Sequence, residues 1–236
     1  TKRWSTLNNM KTEENKLDNP AWNSLNETHK NLSIDYDGIK FYLPEYCPFG
    51  GLSELENSSE GINKYSQMNT NFYVVGEKPL FNSKLVLNKN LVCNQMLLNK
   101  SIILELNEKI TELKSHQQKN DLLNLVNLVQ PGYFSNKTSD LGKYFGIYKN
   151  SQLIAVTGER MKMNKYTEVS AVITHPKHTG KGYAKQLIKH TTDQIFGENR
   201  TPYLHVAETN TGAIKLYEKL GFGTRRKISF WNLKTL

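Results

Sequence analysis

The stretch from Val172 to Ala184 constrains this chain more than any other. It reads VITHPKHTGKGYA: a β-branched run that stops at His175-Pro176, a short basic loop holding Gly180 and Gly182, and the start of a helical pattern. A strand that hands the chain to a glycine loop and a helix N-terminus makes a cradle for a pyrophosphate. The glycines allow close backbone approach, and the first-turn N–H groups point at an anion. Two common cradles do not fit. A GxxxxGK[S/T] loop needs a hydroxyl residue after its lysine, and Lys181 is followed by Gly182. A GxGxxG fingerprint needs a third glycine where Lys185 stands.

The flanks of the loop are equally ordered. Tyr166–Thr174 reads as the strand that feeds it. After it, Ala184, Leu187, Ile188, Thr191 and Ile195 recur on one helical face. Leu204-His205-Val206-Ala207 is a strand. Asn210 then suits the N-cap of a helix carrying Ala213, Ile214, Tyr217 and Leu220, with Gly221 as its C′ residue. Arg226 to Leu233 reads as a last strand. Upstream, Tyr144–Tyr148 and Gln152–Thr157 form a hairpin about Lys149-Asn150-Ser151. Lys109–Leu113 alternates as a strand, and Asp121 is the predicted cap of a helix that runs to Val129 and ends at Pro131-Gly132. From residue 109 the order is β-α-β-β-β-α-β-α-β, a mixed sheet with helices on its faces and an α+β class.

The first half is less regular. Residues 1–16 are polar and are expected to fray. Asn19-Pro20 marks a helix start, with Asn19 as cap and Pro20 at the first helical position. Gly38–Leu43 and Asn71–Val75 read as strands, residues 44–60 as loop, and Leu85–Leu106 as a mixture of strand and short helix.

At 236 residues the chain suits one large domain or two small ones. Its two cysteines, Cys47 and Cys93, read as reduced thiols, and no Cys/His cluster suggests a metal. No apolar run is long enough to span a membrane, and the first residues hold no signal-like apolar stretch, so a cytoplasmic protein without membrane partners is expected. The net charge of +9 comes from scattered lysines, with no nucleic-acid-binding motif beside them. That potential suits a ligand carrying several phosphates equally well.

Two segments carry a family resemblance. One is Thr167-Glu168-Val169-Ser170-Ala171-Val172-Ile173-Thr174-His175-Pro176 with the loop Thr179-Gly180-Lys181-Gly182-Tyr183-Ala184. The other is Leu204-His205-Val206 followed by the pattern N-x-x-A-x-x-x-Y-x-x-x-G-F from Asn210 to Phe222. Together they resemble the GNAT superfamily of N-acyltransferases, whose acyl-CoA loop reads Q/R-x-x-G-x-G/A; the leading half, around Asp18–Trp22, is similar to that of a two-part bacterial branch. The resemblance implies a GNAT fold over residues 105–236. It also implies a smaller α/β domain over residues 1–104, either a degenerate copy of that fold or a substrate-shaping partner.

It implies, further, transfer of an acetyl or other acyl group from acetyl-CoA to a primary amine of a small molecule or peptide, by direct attack in a ternary complex, in a monomer or homodimer. An acyl-CoA sensor or scaffold that kept the cradle without the chemistry is the alternative. By the same resemblance Thr179, Gly180, Lys181, Gly182, Tyr183 and Ala184 hold the CoA pyrophosphate, although Thr179 departs from the usual Gln or Arg. Val172, Ile173 and Thr174 offer backbone groups to pantetheine, and Asn210 both caps its helix and touches the cofactor. Tyr217 protonates the leaving thiolate. Glu168 is the first candidate for the base, with burial expected to raise its pKa toward neutrality. His205 is the second candidate, since imidazole needs no tuning, and Glu208 the third.

Overall fold

The computed structural model describes residues 13–236. The expected frayed stretch falls largely outside the described residues; within them, Lys16–Asp18 form a 3-10 turn with Leu17 fully buried. Internal contacts divide the chain into two units. One holds the residues up to Pro44, residues 48–93 and residues 228–236; the other holds residues 45–47 and 94–227. This differs from a cut at residue 104. The physical reason is that strand pairing, not chain order, groups the residues. β5 (Leu85–Leu97) is one uninterrupted strand where a mixture was expected, and its last residues count with the second unit. β11 (Gly223–Thr235) begins in the second unit and ends in the first.

The first unit contains α1 (Pro20–Asn26), β1 (Ser33–Tyr36), β2 (Ile39–Tyr42), β3 (Phe49–Leu52), α2 (Ser58–Ser66) and β4 (Asn71–Val75). Its strands lie in the order β1-β2-β3-β4-β11, with only β3 and β4 parallel. Phe41 stacks on Tyr65 with ring centroids 4.0 Å apart, and Phe72 meets both rings edge-on. β3 corrects the loop expected over residues 44–60. Its two glycines look like loop signals, yet they serve close packing: a Cβ on Gly50 would lie 2.3 Å from the Phe41 ring, and one on Gly51 2.4 Å from the Trp22 backbone nitrogen. Pro20 opens α1 as expected, but Asn19 does not cap it. Its Nδ2 donates instead to the Leu52 carbonyl at 2.6 Å.

The second unit adds β6 (Ile110–Glu112), α3 (His116–Val129), β7 (Tyr144–Lys149), β8 (Gln152–Lys162), β9 (Tyr166–Thr174), α4 (Tyr183–Gly197), β10 (Thr201–Ala207) and α5 (Thr211–Lys219). The strand order is β5-β10-β9-β8-β7-β6. β6 to β9 run antiparallel, and the α4 crossover makes β9 and β10 parallel. This is the mixed sheet with flanking helices read from the sequence. The β7–β8 turn holds Asn150 and Ser151 both at positive φ, the geometry that matches hairpin twist. Helix α3 starts earlier than Asp121. Ser115 accepts from the Gln118 N–H while Gln118 Oε1 accepts from the Ser115 N–H, a reciprocal box that satisfies two orphan donors. Asp121 lies inside the helix and accepts from the Tyr148 hydroxyl at 2.9 Å.

Candidate active site

Two irregularities between β8 and β9 shape the site. Val156 pairs with Ile173 and Gly158 with Ser170, so Ala171 and Val172 oppose Thr157 alone. This bulge puts Ala171 at φ 51°, an unusual value for a residue with a side chain. Further along, Glu159 pairs with Val169 and Lys162 with Thr167, so Arg160 and Met161 together oppose Glu168. A bulge re-aims the side chains it carries. Here it brings Arg160 onto Glu168 and lets the Met161 N–H reach the same carboxylate at 3.3 Å.

Beyond Glu168 the neighbouring strand is lost. β9 and β10 pair through Tyr166 with Thr201, Thr167 with Pro202 and Glu168 with Tyr203, and no further. The backbone of Val172–Thr174 therefore runs on with no partner from β10. β9 then delivers the chain through Pro176–His178 to the glycine loop. Gly180 and Gly182 sit at φ 77° and 78°. A Cβ on Gly180 would touch nothing within 4 Å, so the left-handed backbone, and not crowding, demands glycine there. Gly182 is the N-cap of α4 and offers no side-chain acceptor, which leaves the first-turn N–H groups of Tyr183 and Ala184 without a capping side chain. Thr179 Oγ1 donates to the Pro176 carbonyl at 3.3 Å, so this departure from the family pattern is turned inward. Lys185 folds back over Gly182, its Cε 2.9 Å from where a Cβ would stand.

Asn210 caps α5 as expected, its Oδ1 accepting from the Ala213 N–H at 3.1 Å. Tyr217 is buried on that helix, edge-on to Phe222 at 5.8 Å. Its hydroxyl has no hydrogen-bond partner among the described residues, and burial pushes its pKa up to about 12.

Glu168 and His205 do come together, but not as two independent bases. Both side chains are almost fully buried, and His205 Nδ1 lies 2.8 Å from Glu168 Oε1. Arg160 grips the same carboxylate with Nε and Nη2, each at 2.8 Å. Burial alone would raise the Glu168 pKa. The Arg160 charge and hydrogen bonds, joined by His205, outweigh it and hold the group at about 2. The expected rise toward neutrality is thus reversed, because the carboxylate gained a buried cation that no local pattern announced. Glu208, the third candidate, is exposed and paired with Lys227 at 2.6 Å. Sequence reasoning missed Arg160, and it missed Gln95 and Arg225 as well. Gln95 Nε2 lies 3.1 Å from His205 Nε2, and Arg225 Nη1 donates to Gln95 Oε1 at 3.0 Å. No local pattern marks Gln95 or Arg225, whose strands read LVLNKNLVCNQML and GTRRKISFWNLKT. Among the described residues no group of three or more His, Cys, Asp or Glu is placed to hold a metal ion.

Several known proteins resemble this chain. A family model described as FR47-like protein matches residues 144–231, the hairpin through the closing strand. The spermidine N(1)-acetyltransferase of Vibrio cholerae serotype O1 is 43% identical over 53 residues, which is 22% of this chain and 31% of that enzyme. The match thus spans about a third of the length of that curated relative. A GNAT-family protein from Novosphingobium aromaticivorans superposes with a TM-score of 0.85 at 27% identity, covering 93% of this chain and 98% of the other. A GCN5-related N-acetyltransferase from Kribbella flavida shares the fold at a TM-score of 0.59 and 12% identity, over 86% of this chain and 88% of that one. With the sheet that opens after Glu168, the glycine loop on α4 and these matches taken together, the chain is similar to GNAT acetyltransferases and shares their fold.

Proposed function

We propose that this protein transfers the acetyl group of acetyl-CoA to a primary amine of a small molecule or peptide, by direct attack within a ternary complex. The observation that carries the reading is the loss of β9–β10 pairing after Glu168, with a left-handed glycine loop at the end of β9 and a buried tyrosine on α5. When bound, acetyl-CoA supplies an activated thioester. The chain supplies everything else.

In this reading the backbone N–H groups from Gly180 to Ala184 hold the pyrophosphate, helped by the positive end of α4. Lys181 and Lys185 add the charge that a side chain at Thr179 does not, since that hydroxyl is turned toward Pro176. Main-chain groups of Val172, Ile173 and Thr174 pair with the pantetheine amides, and an N–H there polarises the thioester carbonyl. Asn210 contacts the cofactor from the α5 N-terminus. Tyr217 holds the proton for the leaving sulfur: at a pKa of about 12 the phenol keeps it across the working range.

The amine must lose a proton before or as it attacks. Glu168 is poorly suited to take it, being ionised down to about pH 2 and already accepting from Arg160, His205 and Met161. His205 takes the proton, and Glu168 is the positioning residue that orients the ring. The Vibrio relative makes polyamines the first acceptors to try. Calorimetry with acetyl-CoA, followed by CoA release over a panel of polyamines, amino sugars and peptide N-termini, tests the reading. Binding with turnover on at least one amine is expected. Binding without turnover on any amine would leave an acyl-CoA sensor, and no binding would end the proposal.

A further inference from the structure

The proposed chemistry needs one lone pair on His205, and the ring is held from both sides. Five side chains from five consecutive strands form one hydrogen-bonded row: Arg225 on β11, Gln95 on β5, His205 on β10, Glu168 on β9 and Arg160 on β8. His205 alternates with Leu204 and Val206, which join the apolar cluster under α4 and α5, so its ring points away from that cluster. Apolar side chains of similar volume would fill such a row with equal or greater stability, because buried charges lose their hydration. The polar row therefore calls for a role beyond holding the sheet.

The direction of each hydrogen bond follows from its arginine end. A guanidinium only donates. Arg225 Nη1, 3.0 Å from Gln95, thereby fixes which end of that amide is the oxygen. The other end is the NH2 group, and it donates to His205 Nε2 at 3.1 Å. Nε2 must then carry the lone pair. The ring proton sits on Nδ1 and is donated to Glu168 Oε1 at 2.8 Å. A proton on Nε2 would face the amide N–H. Charged groups near the ring include Glu168 on the Nδ1 side with Arg160 behind it, and Arg225 behind Gln95; Tyr203 lies edge-on at 5.5 Å.

We propose that Gln95, held in orientation by Arg225, is the positioning residue that keeps His205 singly protonated, while Glu168 holds the ring proton on Nδ1. It keeps Nε2 unprotonated and capped by an amide N–H, a place-holder that the acceptor amine takes over when it delivers its proton. This rests on the reading of His205 as the proton acceptor. No bond other than N–H bonds changes at the ring: Nε2 gains the proton the amine loses, and the Nδ1 proton stays shared with Glu168.

Nitrogen-15 NMR of the full chain with labelled histidine tests it, with His205 assigned by comparison with a His205→Gln sample. The expected wild-type signature is a pyrrole-type Nδ1 and a pyridine-type Nε2. The Gln95→Glu variant keeps the shape but places an acceptor against Nε2. Both ring nitrogens should then become pyrrole-type at neutral pH, and kcat should fall on the order of a hundredfold while acetyl-CoA affinity holds. The Gln95→Met variant removes the donor without adding an acceptor; the Nδ1 proton should stay on the Glu168 side, with a smaller loss of kcat than in Gln95→Glu. A purely structural role predicts the reverse order, since the isosteric change disturbs packing less. A wild-type proton on Nε2 overturns the proposal, and that spectrum needs no variant to fold. So does an unchanged rate in a Gln95→Glu sample whose ring has gained the second proton. A wild-type protein with the expected spectrum and no acetyl transfer to any amine counts instead against the acetyltransferase reading.

Discussion

The two units bury polar side chains in opposite ways. In the first, Ser24, His29 and Tyr42 form a buried polar triangle with sides of 3.1, 2.7 and 2.9 Å, all three within hydrogen-bonding distance. It ties α1 to β2 beside an aromatic core. In the second, the row carries a buried guanidinium–carboxylate pair, Arg160 with Glu168, and ends on the half-buried Arg225. Burying a hydroxyl that finds a partner is nearly neutral, whereas burying a charge is costly even when it is paired. The triangle needs no explanation beyond stability. The charged row does, and it lies where the sheet opens. Glycines differ in the same manner. Gly50 and Gly51 are needed for space and Gly180 for its backbone angle.

This contrast can be broken by experiment. The largest effect is expected from Arg160→Met, which leaves the Glu168 charge buried without its cation; a loss of about 3–5 kcal/mol should appear in urea denaturation. Glu168 also gives stability an acid limb. Its pKa falls from 4.5 to about 2 on folding, so its contribution is complete above pH 4.5 and is lost as pH drops toward 2. Glu168→Gln should remove that limb. A first unit that behaves the same way under acid would erase the distinction.

Tyr217→Phe comes next. A fall in kcat on the order of a hundredfold is expected, with stability and acetyl-CoA affinity little changed, because the hydroxyl has no partner to lose. Any alkaline loss of rate due to Tyr217 should begin near pH 12 and not near 10, since burial favours the neutral phenol. A pH–rate profile reads this directly. Gly51→Ala in the first unit should lower stability by about 1–3 kcal/mol, as its Cβ would meet the Trp22 backbone. Acetyl-CoA affinity per folded molecule should stay the same. The smallest effect is expected from Tyr42→Phe, about 1 kcal/mol in stability for the lost hydroxyl, with kcat unchanged. A change in kcat there would give the triangle a part in catalysis and end the comparison.

Where local pattern and tertiary context agree, the sequence was easy to read. The strand over Tyr166–Thr174, the Asn210 cap and the glycine loop all follow from short-range rules: alternation, an N-cap side chain, a positive φ. β3 was misread because Gly50 and Gly51 resemble turn residues until Phe41 and Trp22 are seen pressed against them. Asp121 was mistaken for a cap because Ser115-x-x-Gln118, an equally local signal, went unread. Asn19 has the right residue type for a cap, but the Leu52 carbonyl competes for its side chain. In the site, Glu168 and His205 were both found on their strands, while Arg160, Gln95 and Arg225 were not. Their positions are scattered along the chain and become neighbours only when five strands align.

The two side chains at the sheet opening came from the family resemblance; from residue order alone came the element order of the second unit and the strand, glycine loop and helix start at Val172–Ala184. Those depend on contacts a few residues apart, which any chain with these residues would make. The ionisation of Glu168, the partners on either side of the His205 ring and the division of the chain at Cys93 were decided only by the fold. Each depends on groups far apart in sequence and a few ångströms apart in space, and electrostatic and packing energies act over that second distance.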